Sequence, residues 1–389
     1  MRRFSALPRF VLLYAALYCA FGVASPFLPA FLSTRGLSAE ELGLVLASGT
    51  AIRLVAGPLA GRLADRHHLW SRLLALCAAG AGGCALLFLP AQGLVMLLPV
   101  ALAQAALLAP LAPLSDALAL SASARSDTQL DAKPFQYGWV RGVGSAAFVA
   151  GSLLAGEAAR PFGLEVTIWL NAGFLGAAAL CALPLPNIVE RRSESTEEDR
   201  RSGVATLLRL PVFRRLMLAA ALVLGSHAMH DSFAVISWNA AGIDTGTASL
   251  LWSESVAAEV VVFFLLGPAL IKRLGSGWAA ALAAGAGVLR WSVMGLTTQI
   301  VALSLVEPLH GFTFALFHLA CMRVILDTVP RHLAATAQAL YGTLAAGAAN
   351  AALTLSSGWL YAHFGIGGFW AMAALCAAAV PAALSLRDP

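Results

Sequence analysis

The sequence predicts an all-α membrane protein: twelve transmembrane helices in two six-helix pseudo-repeats. Three observations carry that expectation. Mean hydropathy is +0.80 and only 12% of the 389 residues are charged, about half the roughly 25% usual in soluble domains. Long runs lack Asp, Glu, Lys, Arg and His: Phe10 to Thr34 (25 residues), Leu73 to Ser115 (43) and Phe364 to Leu386 (23). Period-2 alternation is absent, and a helix satisfies its own backbone groups in lipid, so the spans are helical.

The elements follow in order. Helix 1 (9–32) is the first charge-free run. It is too long for a signal-peptide core and is expected to remain as an uncleaved span. Helix 2 (41–64) ends in Gly57-Pro58-Leu59-Ala60-Gly61-Arg62-Leu63. Helices 3 (71–90) and 4 (93–122) share the 43-residue run, with Pro90 to Gly93 as the turn between two spans. Helices 5 (135–158) and 6 (162–184) complete an N-terminal bundle over 1–185. Ser193 to Ser202 is rich in Glu, Arg and Ser without apolar periodicity, so 186–211 reads as a solvated cytoplasmic linker. Helices 7 (212–238), 8 (246–271), 9 (277–297), 10 (299–326), 11 (333–361) and 12 (364–386) form a C-terminal bundle over 212–389.

Two echoes support the split into halves. Gly57-Pro58 near the end of helix 2 returns as Gly267-Pro268 near the end of helix 8, 210 positions later. Tyr137-Gly138 opens helix 5, and Tyr341-Gly342 opens helix 11, 204 positions later. Parallel repeats with a site between them are a transporter architecture.

Charge placement orients the chain. Of 25 Lys and Arg residues, 20 fall on one side, two (Arg35 and Arg160) on the other, and three (Arg53, Arg141, Arg290) within spans. The positive-inside rule makes the basic side cytoplasmic, with both termini there, in a cytoplasmic (inner) membrane. The six cysteines lie in or beside apolar runs without metal-type spacing and read as free packing thiols. No nucleophile elbow, metal signature or soluble catalytic domain is present. An enzyme, a metal, a cofactor and a nucleic-acid partner are therefore not expected; the expected partners are the bilayer, a small-molecule substrate and protons, with the chain acting as a monomer.

The rare charges inside spans carry the chemistry. Glu259, Arg290, Glu307 and His310 in the second half, with Asp231, and Asp116, Arg141 and Arg53 in the first, all interrupt apolar segments. An ionised side chain at membrane depth costs at least a few kcal/mol, so it requires a partner, a wet cavity or a function. The expectation is a central cavity handling a solute and a proton. Trp238 and Trp252 are aromatic candidates for a ring pocket, against the plainer reading of packing or interface anchoring. His227, His230 and Asp231 on helix 7 are too few on one helix to define a metal site.

Gly61-Arg62-Leu63-Ala64-Asp65-Arg66 resembles the cytoplasmic loop motif of the major facilitator superfamily, with His67 and His68 where a further basic pair is usual. That resemblance implies a gate in which Gly61, Asp65 and Arg66 take part, Asp65 capping a helix and pairing with an Arg. A wider resemblance, over nearly the whole chain, is to the phenylpropionic acid transporter branch related to lactose permease and nucleoside permeases. It rests on Ala112-Pro113-Leu114-Ser115-Asp116-Ala117, Tyr137-Gly138-Trp139-Val140-Arg141-Gly142, Gly225-Ser226-His227-Ala228, Trp238-Asn239-Ala240-Ala241-Gly242, Ala258-Glu259-Val260, Val288-Leu289-Arg290-Trp291 and Leu309-His310-Gly311-Phe312-Thr313-Phe314.

The resemblance implies proton-coupled uptake of a small organic solute by alternating access, an aromatic carboxylate first and a sugar or nucleoside as the alternative. It implies substrate contacts from Asp116, Arg141 and Glu259, with Arg53, Trp238 and Trp252 as further candidates. It implies proton coupling through Glu259, Arg290 and His310. The sugar permease places its proton-binding Glu three positions after the His, where this chain has Thr313, so Glu307 and Asp231 enter as replacements and Glu259 is the preferred coupling acid. Drug/proton antiporters of the superfamily carry a Gly-Pro pair in helix 5; the stretch Gly142 to Gly151 has no Pro, which argues against export.

Overall fold

A computed structural model describes residues 6–125, 135–185 and 197–386. The described residues are helical with short connections, and contain no strand. Ten stretches are long and apolar enough to cross a membrane. Two of them, Thr245–Leu296 (52 residues) and Arg331–Leu384 (54), are too long for one crossing, since at ~1.5 Å per residue each would extend to roughly 80 Å against a hydrocarbon core of ~30 Å. Each folds back at a left-handed glycine, Gly275 (φ 77) and Gly365 (φ 56), where any side chain would be strained. Counted across those breaks, the described residues hold the twelve spans the sequence predicts.

The chain divides into two compact units, Met1–Leu37 with Ser48–Arg192, and Ser38–Ala47 with Ser193–Pro389. The first ten residues from Ser38 therefore pack with the second unit. Local chemistry explains where helices begin. Ser38 and Glu41 form a reciprocal capping box, Glu41 N–H donating to Ser38 Oγ at 3.1 Å and Ser38 N–H to Glu41 Oε2 at 2.9 Å. Asp244 caps helix 8 by accepting from Gly246 N–H and Thr247 N–H.

In the first unit helix 1 (Ala6–Ser33) packs on helix 5 (Tyr137–Phe162) at glycine contacts. A Cβ on Gly22 would stand 2.0 Å from the Phe148 carbonyl oxygen, and one on Gly151 would stand 2.4 Å from that of Cys19. Small residues are what allow this approach between membrane helices. Phe10, Leu13, Leu17, Leu74, Leu114 and Leu175 fill the core around them. The second unit has its own core, including Phe213, Leu216, Phe317, Val324 and Ile325.

Several spans differ from plain helices. Helix 4 is broken between Gly93–Leu108 and Leu111–Arg125, because Pro110 supplies no N–H to continue the ladder. Helix 7 is two pieces, Pro211–Gly225 and Ala228–Ala240, with a turn at Ser226 and His227. Helix 8 runs Thr245–Val261 into a π turn at Val262–Leu266, where Gly267 N–H reaches back to Val262 O just before Pro268. Helix 10 passes from Ile300–Val306 through a 3₁₀ turn at Glu307–Leu309 and a π turn at Gly311–Leu316 to Phe317–Thr328. A third π stretch, Tyr341–Ala348, lies inside helix 11.

The Tyr-Gly echo is thus not structurally equivalent in the two halves. Tyr137 opens helix 5, whereas Tyr341 lies well inside helix 11, which starts at Arg331. Part of the expected linker, 186–196, lies outside the described residues; the rest of it is largely a helix, Glu197–Arg209.

Candidate functional site

In the first unit the buried apolar packing of helices 1 and 5 brings three tyrosines to two charges. Tyr14 and Tyr137 both donate to Asp116 Oδ1, at 2.5 and 2.8 Å. Arg141 Nη1 donates to Tyr18 OH, and its guanidinium carbon sits 5.0 Å from the Tyr18 ring centroid. The Tyr14 and Tyr18 rings stack at 5.5 Å and 17°. Gly144 makes room for them, since a Cβ there would stand 3.1 Å from Tyr18 Cδ2. Asp116 and Arg141 make no ion pair with each other; two stacked rings stand between the sequence's candidate acid and base. Arg141 is exposed with a hydroxyl as its partner. Arg141 lies about one turn into helix 5, the fifth of its 26 residues, and a guanidinium facing lipid there would be costly. Arg53 is likewise exposed, with no hydrogen bond or ion pair among the described residues.

In the second unit the structure brings together every proton candidate, around Arg290. Arg290 and Glu307 have no exposed side-chain surface, and Arg290 Nη2 donates to Glu307 Oε2 at 2.6 Å. The same Nη2 lies 3.2 Å from His230 Nε2, and Nη1 lies 3.0 Å from His310 Nδ1. His310 Nε2 is 3.5 Å from Glu259 Oε2, and His230 Nδ1 is 3.3 Å from Asp231 Oδ1. The ion-pair partner of Arg290 is Glu307, not Glu259, the coupling acid preferred from the sequence. Glu259 keeps 30% of its side chain exposed and Asp231 53%, so the network runs from two partly exposed carboxylates to a fully buried one.

Donor logic assigns the tautomers. Arginine donates and never accepts, so both histidine nitrogens that face Arg290 are acceptors. Neutral His310 then carries its proton on Nε2, toward Glu259, and neutral His230 on Nδ1, toward Asp231. His230 Nε2 also lies 3.3 Å from Glu307 Oε1, at an angle too poor for a hydrogen bond, which leaves that oxygen unbonded. His227 Nδ1 faces the Val223 and Leu224 carbonyls and Nε2 faces Thr313 Oγ1 at 2.9 Å. Thr313, where the sugar permease has a carboxylate, is thus a hydrogen-bond partner of a histidine.

Local backbone makes this cluster possible. Pro308 interrupts the ladder beside Glu307, and Gly311 lets helix 10 touch helix 8 at the turn of Glu259: a Cβ on Gly311 would come 2.6 Å from Ala258 O. Trp252 stacks on His230 at 4.8 Å and Trp238 meets it edge-on at 6.0 Å. Both tryptophans are buried, so they wall the histidine rather than an open ring pocket. His318 bonds Tyr341 OH at 3.1 Å, outside the Arg290 cluster. His230 escapes selection by sequence: its signal was its place next to Asp231 and three after His227, a pattern as common in packed helices as in sites.

The gating motif stands apart. Helix 2 runs from Ala39 through Asp65 to His67, and helix 3 starts at Trp70 with Leu69 at its cap and no side-chain cap bond. Asp65 therefore does not cap helix 3, contrary to the role the resemblance implies, because helix 2 continues past it. Asp65 and Arg66 are exposed without a hydrogen bond or ion pair among the described residues, and space around Gly61 is open. The turn falls at His68, in the left-handed region (φ 53).

Comparison with known proteins agrees with this architecture. Residues 7–372 match the model of the MFS_1 like family. A probable 3-phenylpropionic acid transporter of Escherichia coli (strain K12) is 33% identical over 363 residues, 92% of each chain. An uncharacterized transporter of Bacillus subtilis (strain 168), YwbF, is 22% identical over 94% of this chain and 88% of that one. Among solved structures, a point variant of the nucleoside transporter NupG superposes with a TM-score of 0.86 at 16% identity, covering 98% of this chain and 99% of the other; at that identity the likeness is one of fold. The chain is a multi-pass membrane protein of the MFS_1 like family, within the major facilitator superfamily of transporters.

Proposed function

We propose that this transporter takes up an aromatic carboxylate of the phenylpropionate class together with protons, by alternating access. The observation that carries the substrate class is Arg141: an exposed guanidinium in the first turns of helix 5 whose hydrogen-bond partner is a tyrosine hydroxyl, not a carboxylate. Its planar fork suits a carboxylate, and the Tyr18 ring beside it suits an aromatic group. The E. coli relative is named for 3-phenylpropionic acid. The proton reading rests on the buried Arg290–Glu307 pair, which can neutralise Glu307 in one state and release it to protonation in another. Asp65 and Arg66 serve as inward-side gate residues through contacts made in a different state of the cycle. The excess of basic residues in the loops of one side supports a cytoplasmic-membrane location with both termini inside, and the protein works as a monomer with protons, solute and lipid as its partners.

The test is uptake into proteoliposomes of labelled 3-phenylpropionate, with an inside-alkaline gradient and without one. Gradient-dependent accumulation supports the reading. Accumulation of a nucleoside or a disaccharide instead would move the substrate assignment, and efflux against the gradient would overturn import.

A further inference from the structure

We infer that His230 is a proton relay joining the buried Glu307 carboxylate to the exposed Asp231 carboxylate; this rests on the proton-coupled reading and names the route the proton takes. The Glu307 carboxylate meets two ionisable side chains among the described residues, Arg290 at 2.6 Å and His230 at 3.3 Å. Arginine does not release its proton in proteins, so a side-chain route to Glu307 passes through His230. The other ring nitrogen lies 3.3 Å from Asp231 Oδ1, on a side chain that is 53% exposed. One imidazole thus stands within reach of both carboxylates; the Glu307 contact is misaligned in this state, so transfer requires the ring to turn toward Oε1.

The neighbours leave this ring no other task. Trp252 stacks on it, and Trp238 and Trp291 approach at 6.0 and 5.9 Å, so it is held in a dry slot. Of the other charged or titratable groups here, His227 engages Thr313 and two carbonyls, and His310 engages Arg290 and Glu259. Neither offers a second carboxylate to Glu307.

The transfer balances without an added reactant. A proton on Glu307 Oε1 passes to His230 Nε2, forming an imidazolium. The Nδ1 proton passes to Asp231 Oδ1 and on to water. One proton has moved, and the ring is left protonated on Nε2. That tautomer sets N–H against the Arg290 Nη2 donor at 3.2 Å, whereas the Nδ1–H tautomer accepts there. The Arg290 donor therefore favours the Nδ1–H tautomer as the resting form of His230, the form whose Nε2 is free of a proton.

Two measurements test this. Histidine ¹⁵N NMR of the full protein in nanodiscs, with the His230 signals identified by their loss in His230→Gln, should show the Nδ1–H tautomer at high pH and an imidazolium at low pH. A ring that keeps one protonation state from about pH 5 to about pH 9 overturns the relay. In proteoliposomes with 3-phenylpropionate, His230→Gln and Asp231→Asn should each lower the ratio of gradient-driven uptake to substrate exchange by about tenfold or more. A ratio equal to the parent's overturns the relay and leaves proton-coupled uptake standing. A parent protein that carries no phenylpropionate overturns the substrate proposal instead, and the NMR result then decides the relay.

Discussion

Arg290 and Glu307 form a fully buried ion pair 2.6 Å long, with His230 and His310 as the further acceptors of the same guanidinium. Such a pair contributes little net stability, yet removing one partner strands a charge away from water, at a cost of about 3–5 kcal/mol. Arg290→Gln alone is therefore expected to lower the apparent melting temperature in detergent by several degrees. Arg290→Gln combined with Glu307→Gln is expected to recover most of that loss. Equal melting of the single and double variants would show that the charges are not coupled.

Arg141→Lys keeps the charge and loses the planar fork. It is expected to weaken binding of a carboxylate solute by about 1.5–3 kcal/mol, the scale of a hydrogen bond to a charged group. Calorimetry with 3-phenylpropionate on purified protein measures it. Binding equal to the parent's would make Arg141 a structural partner of Tyr18 and shift solute recognition to another cation such as Arg53.

Gly311→Ala tests the contact between helices 8 and 10. The added methyl would meet the Ala258 carbonyl at 2.6 Å and the Val262 side chain at 2.7 Å. Overpacking of this kind costs about 1–3 kcal/mol. The expected outcome is lower thermal stability together with a loss of uptake, because the helix turn that carries Glu259 is displaced. Gly142→Ala is the control: nothing lies within 4 Å of its added methyl.

Asp65→Asn separates a gating role from a structural one. Asp65 is exposed and unpartnered among the described residues, and surface changes of this kind usually stay within about 0.5 kcal/mol. The melting temperature is expected to stay at the parent's value while uptake slows severely. Turnover equal to the parent's in stopped-time uptake would remove Asp65 from the gate.

What the sequence made legible follows from how rare each signal is. Charges inside apolar runs are few, so Asp231, Glu259, Arg290, Glu307 and His310 stood out, and they do meet within one unit. Which of them pair was not legible. That depends on helix rotation and on local backbone, and helix 10 changes its winding twice between Glu307 and Leu316. A regular helix assumed there gives no way to see that Glu307 and His310 both reach Arg290. Partners made by common residues were hidden for a different reason: Tyr14 and Tyr137 on Asp116 look like ordinary aromatic packing in an apolar run. Asp65 misled because a motif fixes residue types and not where helix 2 stops. The twelve spans were legible throughout, since length and hydropathy decide them, while the turns at Gly275 and Gly365 needed the backbone.

The choice of coupling acid is the sharpest test. Family position favours Glu259, which keeps 30% of its side chain exposed and has His310 at 3.5 Å as its partner. Geometry favours Glu307, which is fully buried and lies against the one arginine of the cluster. A carboxylate that couples a proton to a conformational change must alternate between a partnered, ionised state and an unpartnered, protonated one. Glu307 has the partner that such a cycle requires, and the withdrawal of Arg290 would supply the second state. Glu307→Gln mimics the protonated form and should abolish uphill uptake under a pH gradient, with exchange of labelled for unlabelled solute persisting. Glu259→Gln should instead weaken solute binding and slow uphill uptake and exchange in parallel. Measuring both modes in the same proteoliposome preparations decides between them. Uphill accumulation that survives Glu307→Gln and disappears with Glu259→Gln would return the proton to helix 8.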